Sequence, residues 1–546
     1  MPLSRVNPLL LGAITIALVL MVPLLTVTGQ SLVGSLEVWR HLWQTVLGEY
    51  TVNSLLLAVG VAVLVTLIGV PTAWLTARCD FPGRRPLSLL LLLPMAMPAY
   101  IIAYTYTGVL DFAGPVQQWI RSLTGLGYGQ YWFFEIRSLG GAVAMLSLVL
   151  YPYVYLMSRA AFLSLSDRMI DTSRSLGVSS LGEMRRVILP LTRPAIVVGV
   201  ALALMETLAD YGTVEYFGVP TFTTGIFRTY YGFGDGSAAA QLSLMLLGFV
   251  LVLLTLESHS RRRIKYFAKG EPQSQVRRNR IPGYQGWLAS LVCLLPPLLG
   301  FLLPGALLLR WSLISDQAAT AQFLELAWNS FSLAAMASLL SLALALVLAY
   351  ALRAQHRRLT RLSVRLASVG YALPGTIVAI GVLSALTWLD HTLVAEVETT
   401  LASLGWSLDL GLLFSGSLAA LLFAYSVRFM AVSIGAVHSG LQTIQPSLDH
   451  SARLLGNSPG QVLWKIHLPL LRRSALTALL IVFVDVLKEL PATLMLRPFN
   501  FNTLAVRAFE LASDERLIDA APASLMIVAV GIIPVILLNR SITEAH

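Results

Sequence analysis

Pro8-Leu-Leu-Leu-Gly-Ala-Ile-Thr-Ile-Ala-Leu-Val-Leu-Met-Val-Pro-Leu-Leu-Thr-Val-Thr28 runs for 21 residues without a charged side chain. A helix of about 20 apolar residues covers the hydrocarbon core of a bilayer. Leucine-rich runs of similar length recur through the 546 residues. Arg5 precedes the first run and no small-x-small cleavage site follows it, so it reads as a retained first span. The chain is 56% hydrophobic and 12% charged. A soluble protein carries roughly 25% charged residues. Disorder and a row of soluble domains are both excluded, and the expected fold class is an all-α polytopic membrane protein.

Hydropathy marks twelve candidate spans, near 8–28, 52–76, 87–110, 139–162, 194–216 and 239–257, then 288–310, 328–352, 363–388, 411–435, 474–492 and 521–539. Pro94, Pro98, Pro152 and Pro374 fall inside spans, which packed membrane helices tolerate. One alternating set of loops (77–86, 159–193, 258–280, 353–365 and 428–473) holds 27 of the 38 Lys and Arg but only 6 of the 28 acids. The opposite set holds 9 basic and 18 acidic residues. The basic set is therefore expected in the cytoplasm, with both termini. The segment 258–285, with Arg261-Arg262-Arg263 and Arg277-Arg278, reads as a cytoplasmic linker whose charge sets topology and meets lipid headgroups. The net charge of +10 is thus topological, and nucleic acid is not an expected partner. Cys79 and Cys293 offer no disulfide framework or zinc spacing.

The linker separates two halves of one design, 1–257 and 286–546. Asn53-Ser54 and Asn329-Ser330 open equivalent spans at an offset of 276, and Pro98 matches Pro374 at the same offset. Beyond them the offset is 279: Gly177 matches Gly456, Leu189-Pro190 matches Leu468-Pro469, and Arg228 matches Arg507. Six spans per half make a parallel repeat, with a solute pathway expected between the halves.

Two long loops, 167–193 and 446–473, share a pattern. The first reads Asp171-Thr172-Ser173-Arg-Ser-Leu-Gly177, eleven residues, then Leu189-Pro190. The second reads His450-Ser451-Ala452-Arg-Leu-Leu-Gly456, eleven residues, then Leu468-Pro469. Each predicts a short helix ended by glycine, a second short helix, and a proline restarting the chain toward the membrane. A helix pair lying on the inner leaflet would satisfy the pattern. Its duplication favours a docking surface for two copies of a partner.

These loops resemble the conserved cytoplasmic loop of bacterial binding-protein-dependent ABC importers, Glu-Ala-Ala, three residues, Gly, then Ile-x-Leu-Pro. Ile188-Leu-Pro190 and Ile466-His-Leu-Pro469 carry the match, while Asp171 and His450 stand where the family has Glu. The stretches Glu206–Arg228 and Lys488–Arg507 resemble fused permeases of ferric iron importers. The resemblance implies a type I importer fold and coupling helices seated in ATP-binding subunits. It implies one fused permease working with two ATPases and a periplasmic binding protein in the bacterial inner membrane. ATP and Mg2+ would sit on the ATPases and Fe3+ would be the cargo. Thiamine or phosphonate permeases are relatives, and a secondary transporter is the rival class. The chain has no Gly-x-x-x-x-Gly-Lys-Ser/Thr loop, no cofactor motif and no catalytic constellation, so it is not expected to be an enzyme by itself.

Acidic residues inside spans mark functional candidates. Glu206 and Asp210 lie four apart in the fifth span, and Asp485 and Glu489 at the equivalent places of the eleventh. On a continuous helix each pair would share one face. They are expected to line the gate or the translocation cavity, with phenolic oxygens from Tyr211 and Tyr216 suiting a trivalent ion. Ion pairing with Lys488, Arg228 or Arg507 is the competing role. Tyr128, Tyr131, Trp132, Phe133 and Phe134 read as an interfacial belt or a binding-protein contact. Phe222 and Phe501 read as outer-surface supports for that protein.

Overall fold

The computed structural model describes residues 8–33, 36–127, 129–262, 278–317, 320–354, 358–404, 406 and 410–544. Most of the expected linker, including Arg263 and Arg277, and Tyr128 of the aromatic group lie outside the described residues. The regular secondary structure of the described residues is helical apart from Cys79–Asp80 and Asn279–Arg280, which pair in parallel.

Among the described residues, ten helices are long and apolar enough to span a membrane. They are Pro8–Val33, Leu47–Arg78, Leu139–Ser164, Met184–Ala209, Gly236–His259, Gly283–Ile314, Ala321–Ala354, Gly375–Ser403, Leu418–Thr443 and Leu517–Leu537. The other two of the twelve expected spans differ for identifiable reasons. The third is a pair, Arg84–Ala96 and Ala99–Thr124, bent by 94°. Pro98 sits in the break with extended ψ of 142°, as its ring disfavours a continuous helix. Its counterpart Pro374, with ψ of 143°, likewise separates Arg358–Ala367 from Gly375–Leu389. Pro152, by contrast, lies within an unbroken helix. The eleventh is the helix Leu468–Leu487, whose length would suffice but which carries Arg472, Arg473 and Asp485.

Leu47–Arg78 shows why these helices suit a bilayer. Leu57, Val61, Val65 and Gly69 form its buried stripe, while Leu55, Val59, Val63 and Leu67 form an exposed one. A helix apolar on both faces is stable only in protein or lipid.

The helices gather into two compact units. One comprises His41–Gly225, Met245–Ala318 and Ala508–His546; the other comprises Met1–Arg40, Ile226–Leu244 and Ala319–Arg507. These units cut across the sequence halves 1–257 and 286–546. The first helix, Pro8–Val33, packs against Gly375–Leu389 and Arg358–Ala367. Gly381 permits that approach, since a Cβ there would collide with the Pro23 backbone. Correspondingly, Leu303–Ile314 packs against the last helix, Leu517–Glu544, and Gly283–Pro297 against Arg84–Leu90. Each half thus contributes its opening helix to the other half's unit.

Within the first unit, Leu139–Ser164 packs along both Leu47–Arg78 and Leu189–Ala209. Small residues set that spacing: a Cβ on Gly199 would lie 2.7 Å from the Val154 Cα. The Asn-Ser pairs of the repeat do equivalent work in their own units. Asn53 Nδ2 donates to the Pro220 carbonyl (2.9 Å) and Ser54 Oγ accepts from the Phe222 N–H (3.3 Å). Asn329 Nδ2 donates to the Asn502 carbonyl (3.4 Å) and Ser330 Oγ accepts from the Leu504 N–H (2.7 Å).

Candidate docking loops and acidic residues of the spans

Both patterned loops fold the same way. Asp167–Ser175 leads through Gly177 to a short helix Ser180–Glu183 and a π turn, Met184–Ile188, before Leu189 opens the next span. Pro446–Leu454 leads through Gly456 to Pro459–Val462 and a π turn, Leu463–His467, before Leu468. Gly177 (φ 76°) and Gly456 (φ 84°) are left-handed. The Val178 N–H donates to the Ser173 carbonyl (3.2 Å) and the Asn457 N–H to the Ala452 carbonyl (3.1 Å). These six-to-one bonds are the Schellman termination that the glycines make possible. Ser173 and Ala452 are buried inside their turns, whereas Asp171 and His450 stand exposed at matching places. Thr172 and Ser451 sit between, and their carbonyls accept the Leu176 and Leu455 N–H groups, both at 3.1 Å. Pro190 and Pro469 are exposed at the first turns of the returning helices. The loops also present apolar side chains to solvent, Leu176 on the first and Leu454, Leu455 and Trp464 on the second.

An arginine that the motif comparison did not single out anchors each loop. Arg78 is buried at the end of its span and donates to the Phe162 carbonyl (2.8 Å), the Leu165 carbonyl and Asp167. Arg353 donates to the Leu441 carbonyl, the Ile444 carbonyl (3.1 Å) and both Asp449 oxygens (2.8 and 3.0 Å). The carbonyl pairs are equivalent at the offset of 279, so each guanidinium closes the C-terminus of one span and grips the first helix of the patterned loop. The arginines themselves are offset by 275 and the carboxylates come from non-equivalent positions, which hid the correspondence.

The second anchor has an added partner. His467 takes the place of Ile188 at the offset of 279; both are buried. Its Nε2 lies 2.7 Å from Asp449 Oδ1, and Tyr350 meets its ring edge-on at 5.6 Å. Burial opposes ionisation of Asp449, but hydrogen bonds and charge from Arg353 and His467 outweigh it and hold the carboxyl below its ordinary value. Stability from a depressed carboxylate is complete above the unfolded value, about pH 4, and disappears as pH falls through the lower folded value. Amide exchange across 446–467 is therefore expected to be unprotected by this anchor only under strongly acidic conditions. Loss of protection between pH 7 and pH 5 would contradict that anchor.

The acid pairs are not continuous-helix pairs. The fifth-span helix ends at Ala209 and Asp210 is extended (ψ 133°); the eleventh-span helix ends at Leu487, before Glu489. Both carboxylates instead cap the next short helix. Asp210 accepts from the Thr213 and Val214 N–H groups, both at 3.1 Å, and from Thr213 Oγ1 at 3.0 Å. Glu489 accepts from the Ala492 and Thr493 N–H groups, both at 3.0 Å, and from Thr493 Oγ1 at 2.7 Å. Orphan N–H groups at a helix start recruit such oxygens, which is why both spans break there.

Their charge environments differ. Glu489 is buried and receives Arg428 Nη1 at 2.7 Å, while Lys488 reaches Asp485 at 2.9 Å. Arg428 was not among the expected partners. Gly375 makes room for it, because a Cβ there would strike the guanidinium. Position 149, the counterpart of Arg428, is Val149. Among the described residues, neither Glu206 nor Asp210 has a cationic partner. Tyr211 is buried directly after Asp210 with its ring 6.1 Å from Phe509, and Tyr216 lies 6.3 Å from Tyr104. Phe222 is core rather than surface, packed on Tyr50 and Phe249. Phe501 is half-buried, and Phe499, two residues before it, and Trp132 of the aromatic group are exposed.

A duplicated helical membrane bundle with the same folded loop in each half has the architecture of a transporter's membrane subunit. The model for binding-protein-dependent transport system inner membrane components matches residues 66–266 and 341–543, and the chain belongs to that family, as a fused ABC importer permease of the inner membrane. It is 26% identical over 504 residues to the Fe(3+)-transport system permease protein FbpB 2 of Haemophilus influenzae, covering 90% of each chain. Single-half relatives match as well. The molybdenum transport system permease protein ModB of Escherichia coli is 28% identical over 39% of this chain and 91% of its own. The sulfate transport system permease protein CysT of Salmonella typhimurium is 28% identical over 46% of this chain and 91% of its own.

Proposed function

We propose that this permease imports ferric iron, handed over by a periplasmic binding protein and driven by two ATPase subunits, one at each docking loop. The loops and both termini then lie in the cytoplasm, in keeping with the basic charge of the alternating loops. ATP binding draws the two ATPases together, and the docking helices pass that movement through Arg78 and Arg353 to the spans. The cavity opens outward, takes the ion and reopens inward after hydrolysis.

The observation that carries the cargo reading is the uncompensated pair Glu206 and Asp210. Two carboxylates without a countercharge among the described residues of an apolar bundle attract a cation, and their hard oxygens suit Fe3+. Asp485 and Glu489 serve as structural ion pairs. Full-length similarity to a chain named for Fe(3+) transport supports the same reading. Similarity of one half to permeases named for molybdenum and sulfate transport favours an oxyanion as the alternative.

Charge neutralisation separates the two. In a reconstituted complex, Glu206→Gln with Asp210→Asn is expected to reduce iron uptake by about tenfold or more. Hydrolysis stimulated by the binding protein should persist, since the docking loops are untouched. Undiminished iron uptake would sink the carboxylate role, and molybdate or sulfate uptake at the original rate would establish the oxyanion reading.

A further inference from the structure

Five arginines outside the docking loops converge at one end of the first unit. The parallel pairing of Cys79–Asp80 with Asn279–Arg280 brings Arg278 and Arg280 beside the turn that carries Arg84 and Arg85. The Ile281 N–H adds a bond to the Asp80 carbonyl at 3.0 Å, and Ser290 Oγ donates to the Pro82 carbonyl at 2.7 Å. Arg159, near the end of Leu139–Ser164, is the fifth. Burial, Arg84, Arg159 and Arg85 all act against the charge of Arg278, with Asp80 alone opposing them. Asp80 is also the acid that Arg84 reaches, at 3.4 Å. Arg159 Nε is buried and has no hydrogen-bond partner among the described residues. Among the described groups that act on Arg278, one carboxylate stands against three guanidinium groups, which leaves a local excess of positive charge.

The depth of this cluster is marked by its neighbours. Arg78 ends one span, and Gly283 begins another three residues after Arg280. On that next helix Tyr284 and Trp287 are exposed, followed by exposed Leu288, Leu291 and Leu295. Aromatic rings at a span's start lie at headgroup level, and the leucines beyond them face acyl chains. The cluster therefore opens onto the bilayer at the height of lipid phosphates.

We propose that Arg84, Arg85, Arg159, Arg278 and Arg280 form a binding site for the phosphate headgroup of an anionic phospholipid, whose chains lie along the Tyr284–Leu295 face. Guanidinium groups bind phosphate through paired N–H donors, and Arg159 Nε supplies a donor without a partner among the described residues. The lipid would hold the returning chain after residue 277 against the turn at 80–85. Neither the transport reading nor the nature of the cargo enters this assignment.

The test uses the full-length chain purified in detergent and offered equal amounts of phosphatidylglycerol and phosphatidylcholine, with retained lipid counted by native mass spectrometry. Phosphatidylglycerol should be retained preferentially. The triple substitution Arg159→Gln, Arg278→Gln and Arg280→Gln should weaken retention about 100-fold, near fivefold per arginine. The same loss of charge at Arg358, Arg361 and Arg365 should leave it unchanged. If the triple variant fails to fold, Arg159→Gln and Arg280→Gln singly should each weaken it about fivefold. Retention equal to the parent, an equal loss in the control variant, or displacement of the lipid by millimolar inorganic phosphate would overturn the assignment, the last by making free phosphate the ligand.

Discussion

Gly177→Val combined with Gly456→Val is expected to abolish transport in a chain that still inserts and folds. Each glycine sits at positive φ, and a Cβ at either would have nothing within 4 Å, so crowding is not the cause. The backbone is. A non-glycine residue in that conformation loses roughly 1–2 kcal/mol, and β-branching makes it worse. The two turns together would move the loop equilibrium by about 30-fold or more. The relaxed turn cannot keep the six-to-one bonds to Ser173 and Ala452, so the second short helix leaves its place against the first. Hydrolysis by reconstituted ATPases should then no longer respond to the loaded binding protein. Gly177→Asn with Gly456→Asn should restore coupling, because asparagine tolerates the left-handed region. Intact substrate-stimulated hydrolysis in the valine pair would show that turn geometry does not transmit the signal.

The second large effect concerns stability. Arg428→Met leaves the Glu489 carboxylate, 1% exposed, without its 2.7 Å partner. Removing one member of a buried ion pair typically costs about 3–5 kcal/mol. Adding Glu489→Gln should recover much of that loss, since a neutral amide can still accept from the Ala492 and Thr493 N–H groups. Lys488→Met is the comparison. Its pair with Asp485 is 30% and 21% exposed, and solvent screening limits the loss to about 1 kcal/mol or less. Thermal unfolding in detergent should rank Arg428→Met far below Lys488→Met, with the double variant between them. Equal melting of the two single variants would mean that the buried pair contributes nothing special.

Legibility differed by feature. The spans were readable because apolar length is a local property: ten of the twelve overlap a helix of sufficient length among the described residues, with the ninth shortened by the break at Pro374 and the fifth by the break at Asp210. The fold of the two patterned loops was readable because glycine, proline and an even spacing of 279 encode a turn chemistry that needs no neighbours. The acids were located in sequence but not in geometry. Spacing of four implied a shared helical face, while capping of the next helix by Asp210 and Glu489 ends the span first. Arg428 escaped notice because its importance lies in a partner 61 residues away and in the space left by Gly375. Arg78 and Arg353 were hidden by an offset of 275 rather than 276 or 279.

The sequence by itself determined that this chain is a duplicated helical membrane protein with one helix-glycine-helix loop of shared pattern in each half. Hydropathy, charge asymmetry and turn residues act over a few neighbours, so they survive without coordinates. Tertiary structure decided which helices share a unit, with Pro8–Val33 and Leu303–Ile314 each joining the opposite half's unit. It also decided which acids are neutralised. Both depend on packing between segments far apart in the chain, where a missing Cβ at Gly381 lets the Pro23 backbone approach from 358 residues away and Arg428 reaches Glu489 across 61.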